Sequence, residues 1–180
     1  PEDALIIKIL RSPHAHAIIE DIDVSRAENV EGIACVLTWK DVPSSRFTIA
    51  CQAYPEPSNY DRLILERRLR YVGDAVAIVA GEDEKAVDKA LKLIKVKYDV
   101  LEPVLDFRKS KDNPVLVHPE DDIKTNPFFP EQIKRNIVYY GETQYGNVNE
   151  EFEKCDVVIE RSYHTLQNNQ TPMEPFTTFA

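Results

Sequence analysis

Apolar and polar positions alternate in short runs near the front of the chain. "ALIIKIL" (4–10) and "AIIEDIDV" (17–24) read as strands, with "RSPH" as the corner between them. Pro13 has no N–H to give to a sheet and pushes Ser12 towards extended geometry, so the chain turns there. "SRAENVEG" reads as a short helix or turn stopped by Gly32, and "IACVLTW" as another strand. The run from 40 to 62 is rich in Pro, Ser and Asn and reads mostly as loop.

The clearest unit is "RYVGDAVAIVAGEDEKAVDKALKLIKVKYDVLEPVLD". Its "AVAIVAG" has the small and β-branched residues of a buried strand. A helix is expected from about Asp83 to Ile94, with Ala86, Val87, Ala90, Leu91 and Ile94 on one face. Lys85, Asp88, Lys89 and Lys92 lie opposite, and Asp88 and Lys92 are spaced as an i,i+4 pair. "KVKYDVL" is the returning strand, closed by Pro103.

From 106 to 135 the periodicity disappears amid prolines and charges, which marks a linker or a functional loop. Beyond it strand-like patterning resumes. In "DVVIERSYHTL", Val157, Ile159 and Tyr163 share a face with Arg161, while Glu160, Ser162 and His164 lie on the other. There is no internal repeat.

Composition narrows the function. Net charge is −9, with acidic clusters at Glu82-Asp83-Glu84, Glu120-Asp121-Asp122 and Glu150-Glu151-Phe152-Glu153. That balance repels a phosphate backbone and argues against nucleic-acid binding. Each cluster reads as a solvated loop or the negative start of a helix. No window reaches the ~18 apolar residues of a membrane span. Cys35, Cys51 and Cys155 are too far apart for C-x-x-C chemistry, which points to a reducing cytoplasm. In apolar surroundings Cys35 and Cys51 are expected in the core. Opening on Pro1 and closing on "TPMEPFTTFA", the chain reads as a processed product or an excised piece of something longer.

The one constellation with metal-site spacing is His14 and His16. On a strand their rings would share a side. Two ligands do not complete a catalytic metal site, and His118 and His164 add no recognisable spacing. One corner histidine and one partly packed histidine is the expectation. With five glycines, neither a dinucleotide fingerprint nor a phosphate loop can be written, and no Ser elbow is present. The residues alone describe a scaffold or binding domain, with no catalytic or metal-ligating residue to name.

Three stretches taken in order nevertheless resemble one family. "LRSPHAHAIIEDIDVSRAENVEGIACVLTWKDVP", the "RYVGDAVAIVAG…LEPVLD" block and "NIVYYGETQYGNVNEEFEKCDVVIERSYHTLQNNQTPMEPF" are similar to the opening of the large, molybdenum-binding subunit of the xanthine dehydrogenase and aldehyde oxidase family. The resemblance implies an α+β fold. Residues 1–106 would be an α/β-hammerhead domain of mixed strands with two helices, 107–132 a proline-rich linker, and 133–180 the truncated opening strands of a molybdenum-cofactor-binding domain. It implies an oxidoreductase of purine metabolism that hydroxylates a heteroaromatic or aldehyde carbon with oxygen from water. A molybdenum-molybdopterin cofactor would be held further along the full-length chain. Electrons would leave through [2Fe–2S] clusters, often to FAD, on partner subunits or domains. Gln170 and Glu174 in "QTPMEPF" are the positions nearest the cofactor region. Family members commonly carry His where this chain has Gln170, and a structural role is expected for both. The fragment alone is expected to be inactive. The alternatives are a free-standing acidic interaction module with a hammerhead fold and, more distantly, a hydrolase using His14 and His16.

Overall fold

The computed structural model describes residues 4–48, 59–124, 132–138, 140–166, 168–169, 171–173 and 178. The chain divides into two units, Pro1–Tyr140 and Gly141–Ala180. The first runs β1 (Ile6–Arg11), β2 (Ala17–Asp23), α1 (Ser25–Glu28), β3 (Ile33–Leu37), β4 (Arg68–Leu69), β5 (Ala75–Gly81), α2 (Glu84–Leu93) and β6 (Lys95–Val100). Single 3-10 turns follow at Phe107–Lys109 and Ile133–Arg135. The strands form two three-stranded sheets, ordered β1–β5–β3 and β4–β2–β6, and all their pairings are antiparallel. This is the expected α+β architecture with its two helices. β5 and β6 flank a helix but join different sheets, so they make no parallel crossover.

β5 is the middle strand of its sheet, which is why its residues are small and β-branched: Val76, Ala77 and Val79 are fully buried. α2 crosses one face of this sheet. Its first turn is closed by Asp83, whose carboxylate accepts the backbone N–H groups of Lys85 and Ala86 at 2.8 and 3.0 Å. Ala86, Val87 and Ala90 are buried with Val36, Val79 and the α1 residue Ala27, while Leu91 and Ile94 pack at the margin. The helix face is therefore the one its periodicity predicts. Asp88 meets Lys8 of β1 at 2.7 Å, in place of the Lys92 pairing that spacing alone suggests, and Lys8 also reaches Glu84 at 2.8 Å. A second core gathers Ala17, Ile19, Ile22, Leu69, Val76 and Ala77. Val24 and Ile94 pack against both cores and tie them together.

The other face of the β1–β5–β3 sheet carries two apolar rows, Ile7–Ala80–Cys35 and Ile9–Ile78–Leu37. Cys35 is exposed there, which corrects its expected place in the core. A register shift between Ile33 and Cys35 sets Val36 towards α2 and leaves Cys35 on the uncovered side. Cys51 lies outside the described residues.

The loss of periodicity after Asp106 suggests a linker, yet the described part of 107–138 belongs with the first unit, which closes only at Tyr140. Side chains hold this stretch without regular structure. Asn136, in a left-handed conformation (φ 55°), accepts from Val117 N–H at 2.9 Å and donates to Val115 O at 2.8 Å. Lys134 donates to Pro119 O at 2.7 Å and Glu120 O at 2.9 Å.

Among the described residues of the second unit the regular element is α3 (Val148–Glu153), with Asn147 at its N-cap accepting from Glu150 N–H. The acidic cluster at 150–153 lies in this helix. "DVVIERSYHTL" forms no paired strand among the described residues, and Val157, Ile159 and Tyr163 are exposed. Its alternation is real, but a strand needs a neighbour for its backbone groups, and the described residues of this unit supply none there.

Candidate functional site

The corner between β1 and β2 holds the two histidines that the sequence singles out. Ser12 fixes it: its N–H donates to Asp74 O and its carbonyl accepts from Gly73 N–H, both at 2.8 Å. Its hydroxyl accepts from His14 N–H at 3.0 Å and donates to His14 O at 2.9 Å. The facing turn needs Gly73, whose φ of +97° is costly for any residue with a side chain. His14 and His16 both precede β2, so the strand geometry that would align their rings does not apply.

His14 stands edge-on to Tyr98, with ring centroids 4.9 Å apart. His16 turns inward and is 8% exposed. Its Nδ1 lies 2.8 Å from Glu102 O and its Nε2 3.0 Å from Arg68 Nη1. A carbonyl only accepts, so Nδ1 carries the proton and Nε2 accepts from the guanidinium. Neither ring nitrogen of His16 is left for a metal. The pair is a corner histidine and a packed one.

The strongest polar assembly lies beside this corner, around β4, and the sequence does not announce it. Arg70 forms a two-pronged pair with Glu66, at 2.6 Å to Oε2 and 3.0 Å to Oε1. Its Nη2 also reaches Glu120 Oε1 at 2.9 Å, and its Nε donates to Val117 O at 3.0 Å. Arg68 meets the same Glu120 oxygen at 3.0 Å. Arg46 joins Asp122 at 2.9 Å and stands 3.5 Å from Glu66. Glu120 is thus an enclosed, ion-paired structural group, while Asp121 and Asp122 of its cluster remain exposed in a loop, as expected, with Asp122 paired to Arg46. One glutamate followed by three arginines in "LERRLR" is the available signal. Their partners come from residues 46 and 120–122, and no local spacing reveals that.

His118 sits inside this assembly, 3.9 Å from Glu120 and 3.8 Å from Asp61. Burial, and then the charge of Arg70, hold its imidazole below the usual histidine range, against the opposing pull of Asp61, Glu120 and Glu66. A cavity of about 310 Å3 opens next to the assembly, lined by His16, Arg70, Val72, Leu105 and Leu116 among others. His16 is already hydrogen-bonded through both ring nitrogens and Arg70 is ion-paired, so neither offers the cavity an uncommitted polar group.

Among the described residues no group of three or more His, Cys, Asp and Glu side chains is placed to hold a metal. No catalytic step is assigned to the described residues. Gln170 and Glu174 lie outside the described residues. His164 and Cys155 lie in the second unit, where Cys155 Sγ donates to Glu151 O at 3.3 Å. Among the described residues no helix is long and apolar enough to cross a membrane.

Fold and site together define a two-sheet α+β scaffold whose polar side chains are spent on holding corners and loops. Residues 1–102 match the family described as aldehyde oxidase and xanthine dehydrogenase, a/b hammerhead domain. The chain belongs to that family. It is 37% identical over 202 aligned positions to the probable hypoxanthine oxidase XdhD of Escherichia coli, covering 98% of this chain and 21% of that protein. It is 35% identical over 169 positions to a probable xanthine dehydrogenase component of Bacillus subtilis, covering 93% and 20%. Among solved structures, the aldehyde oxidoreductase of Desulfovibrio desulfuricans superposes with a TM-score of 0.55 at 28% identity, over 66% of this chain and 14% of that one. The chain therefore spans about a fifth of the length of these curated relatives.

Proposed function

We propose that this chain is the N-terminal part of a molybdenum hydroxylase that acts on a purine such as hypoxanthine or xanthine. In this reading, residues 1–106 are the hammerhead scaffold, the stretch that follows is fastened to it within the unit that closes at Tyr140, and the chain beyond begins the domain that binds the molybdenum-molybdopterin cofactor. The observation that carries it is the similarity to proteins named for hypoxanthine and xanthine, which runs across more than nine-tenths of the chain. A further relative is a molybdenum-binding subunit by name, at 29% identity. The cofactor supplies the redox chemistry that inserts oxygen from water into a ring carbon. Iron–sulfur and FAD subunits or domains take the electrons, and the enzyme works in the cytoplasm.

Within that enzyme the first unit is a rigid mount. Both ring nitrogens of His16 and the forked pair of Arg70 are used to fix the β1–β2 corner and the loop after β6. None of these groups is free to move a proton at a substrate. The test is turnover by the intact protein in heavy-oxygen-labelled water, across hypoxanthine, xanthine, nicotinate and an aromatic aldehyde. Label entering the purines at the highest kcat/KM supports the reading. Turnover confined to the aldehyde or nicotinate would move the substrate assignment, and no turnover of any would remove the enzyme reading.

A further inference from the structure

Among the described residues, α2 closes one face of the β1–β5–β3 sheet and nothing closes the other. The open face carries the rows Ile7–Ala80–Cys35 and Ile9–Ile78–Leu37. Ile7 is 63% exposed and Ile9 38%, and Cys35 is exposed on the strand at the opposite edge.

A sheet with one face in water ordinarily alternates, with apolar side chains inward and polar ones outward. β1 reverses that order. Lys8 lies on the covered side, where it pairs with Glu84 and Asp88 of α2 at 2.8 and 2.7 Å. Arg11 follows the register shift and donates to Gly73 O at 2.9 Å. β3 and β5 contain no charged residue. The two open rows are therefore an apolar surface without a charge in it.

We propose that this face is a docking surface for the part of the polypeptide that follows residue 180, which covers it with an apolar face of its own. The inference rests on the reading of the chain as the front of a larger enzyme. Two observations select this occupant. The chain spans 21% and 20% of its curated relatives, so in a protein of that size most of the polypeptide lies outside these residues. The size of the patch argues against a second copy. Its two rows fall far short of the roughly 20 residues a side that a stable interface between separate chains uses. Cover from the same polypeptide avoids most of the translational entropy cost of association, so a small patch suffices. The covering face is apolar because a charge set against these rows would lose its water and gain no partner.

Cys35 reports on the cover directly, since it stands in one of the rows. In the intact protein, its alkylation by iodoacetamide, read by peptide mass spectrometry, should be at least roughly tenfold slower than in the same protein unfolded at the same pH. Ile7→Glu supplies a second readout. On an open face the new side chain would stand in water and cost almost nothing. Under a cover it buries a carboxylate, so the intact variant should melt below the parent and its Cys35 should react faster. Ile7→Val should behave as the parent does. Alkylation of Cys35 as fast as in the unfolded protein would overturn the proposal. So would an Ile7→Glu protein with the parent's melting temperature and Cys35 rate. Protection that disappears on dilution, or when a separate subunit is removed, would give the face to a second copy or to that subunit and overturn it too. Should Ile7→Glu fail to fold, the Cys35 rate in the parent decides. Molybdenum content of the same sample keeps this proposal apart from the enzyme reading. Fast alkylation in a molybdenum-loaded protein removes the docking surface and leaves the enzyme. Slow alkylation in a molybdenum-free protein keeps the docking surface and removes the enzyme.

Discussion

His16 shows how much work one side chain does here without chemistry. Its ring joins the carbonyl of Glu102 to the guanidinium of Arg68, so it ties the β1–β2 corner to the loop after β6 and to β4 at once. His16→Ala leaves a buried carbonyl and one arm of Arg68 without their partner, and it should cost about 1 to 3 kcal/mol in denaturant unfolding. Chelators should leave the melting temperature of the parent protein unchanged, because no bound metal depends on this ring. Gly81 is the second sensitive position. A Cβ there would sit 2.8 Å from Gly32 O and 2.9 Å from Val87 Cγ2, against backbone and a fully buried side chain. Gly81→Ala should therefore destabilise by roughly 1 to 3 kcal/mol, with strand β5 pushed off α2. A neutral result in the same unfolding experiment would mean that the contact relaxes. At this scale the sequence speaks unevenly. That one histidine of the pair packs is expected from the sequence, but not the way it packs, since His16 precedes β2 and is held through both ring nitrogens. That Arg68, Arg70 and Glu120 form one assembly is not legible, since their contacts join residues about 50 apart.

At the scale of elements, α2 and β5 are the most legible because each carries its own signal. β5 has small β-branched residues for burial on both faces, and α2 has an apolar face, an Asp83 cap and acidic residues at its start. Leu91→Asp places an unpaired charge at the edge of the apolar face that meets Val36 and Val79, so the first unit should melt well below the parent. An unchanged melting temperature would put the helix face elsewhere. β3 is legible as a strand, but its register shift is not, and with it goes the position of Cys35. α3 escapes a reading by periodicity because its six residues are short and flanked by β-branched pattern. Its signal is Asn147 followed three residues later by Glu150, a capping pattern that outweighs the surrounding alternation. The stretch 157–166 shows the opposite: a good strand pattern with no strand beside it among the described residues. Periodicity states which face would be buried, and only a partner turns that into structure.

The whole chain joins a first unit with two cores to a second whose described apolar residues are largely exposed. Family membership rests on residues 1–102, and that stretch coincides with the two sheets and both of their helices. The fold class is legible because it follows from the order of elements. The site is not, because the described residues place no catalytic group together and Gln170 and Glu174 lie outside them. The central claim is that residues 1–180 are a scaffold which depends on the rest of a molybdenum hydroxylase for its chemistry. The most direct measurement compares the 180-residue chain with the intact gene product, each purified and assayed for molybdenum content and hypoxanthine oxidation. A folded, metal-free, inactive 180-residue chain is expected beside an intact protein with stoichiometric molybdenum and turnover. Molybdenum and turnover in the 180-residue chain, or their absence from the intact protein, would contradict it.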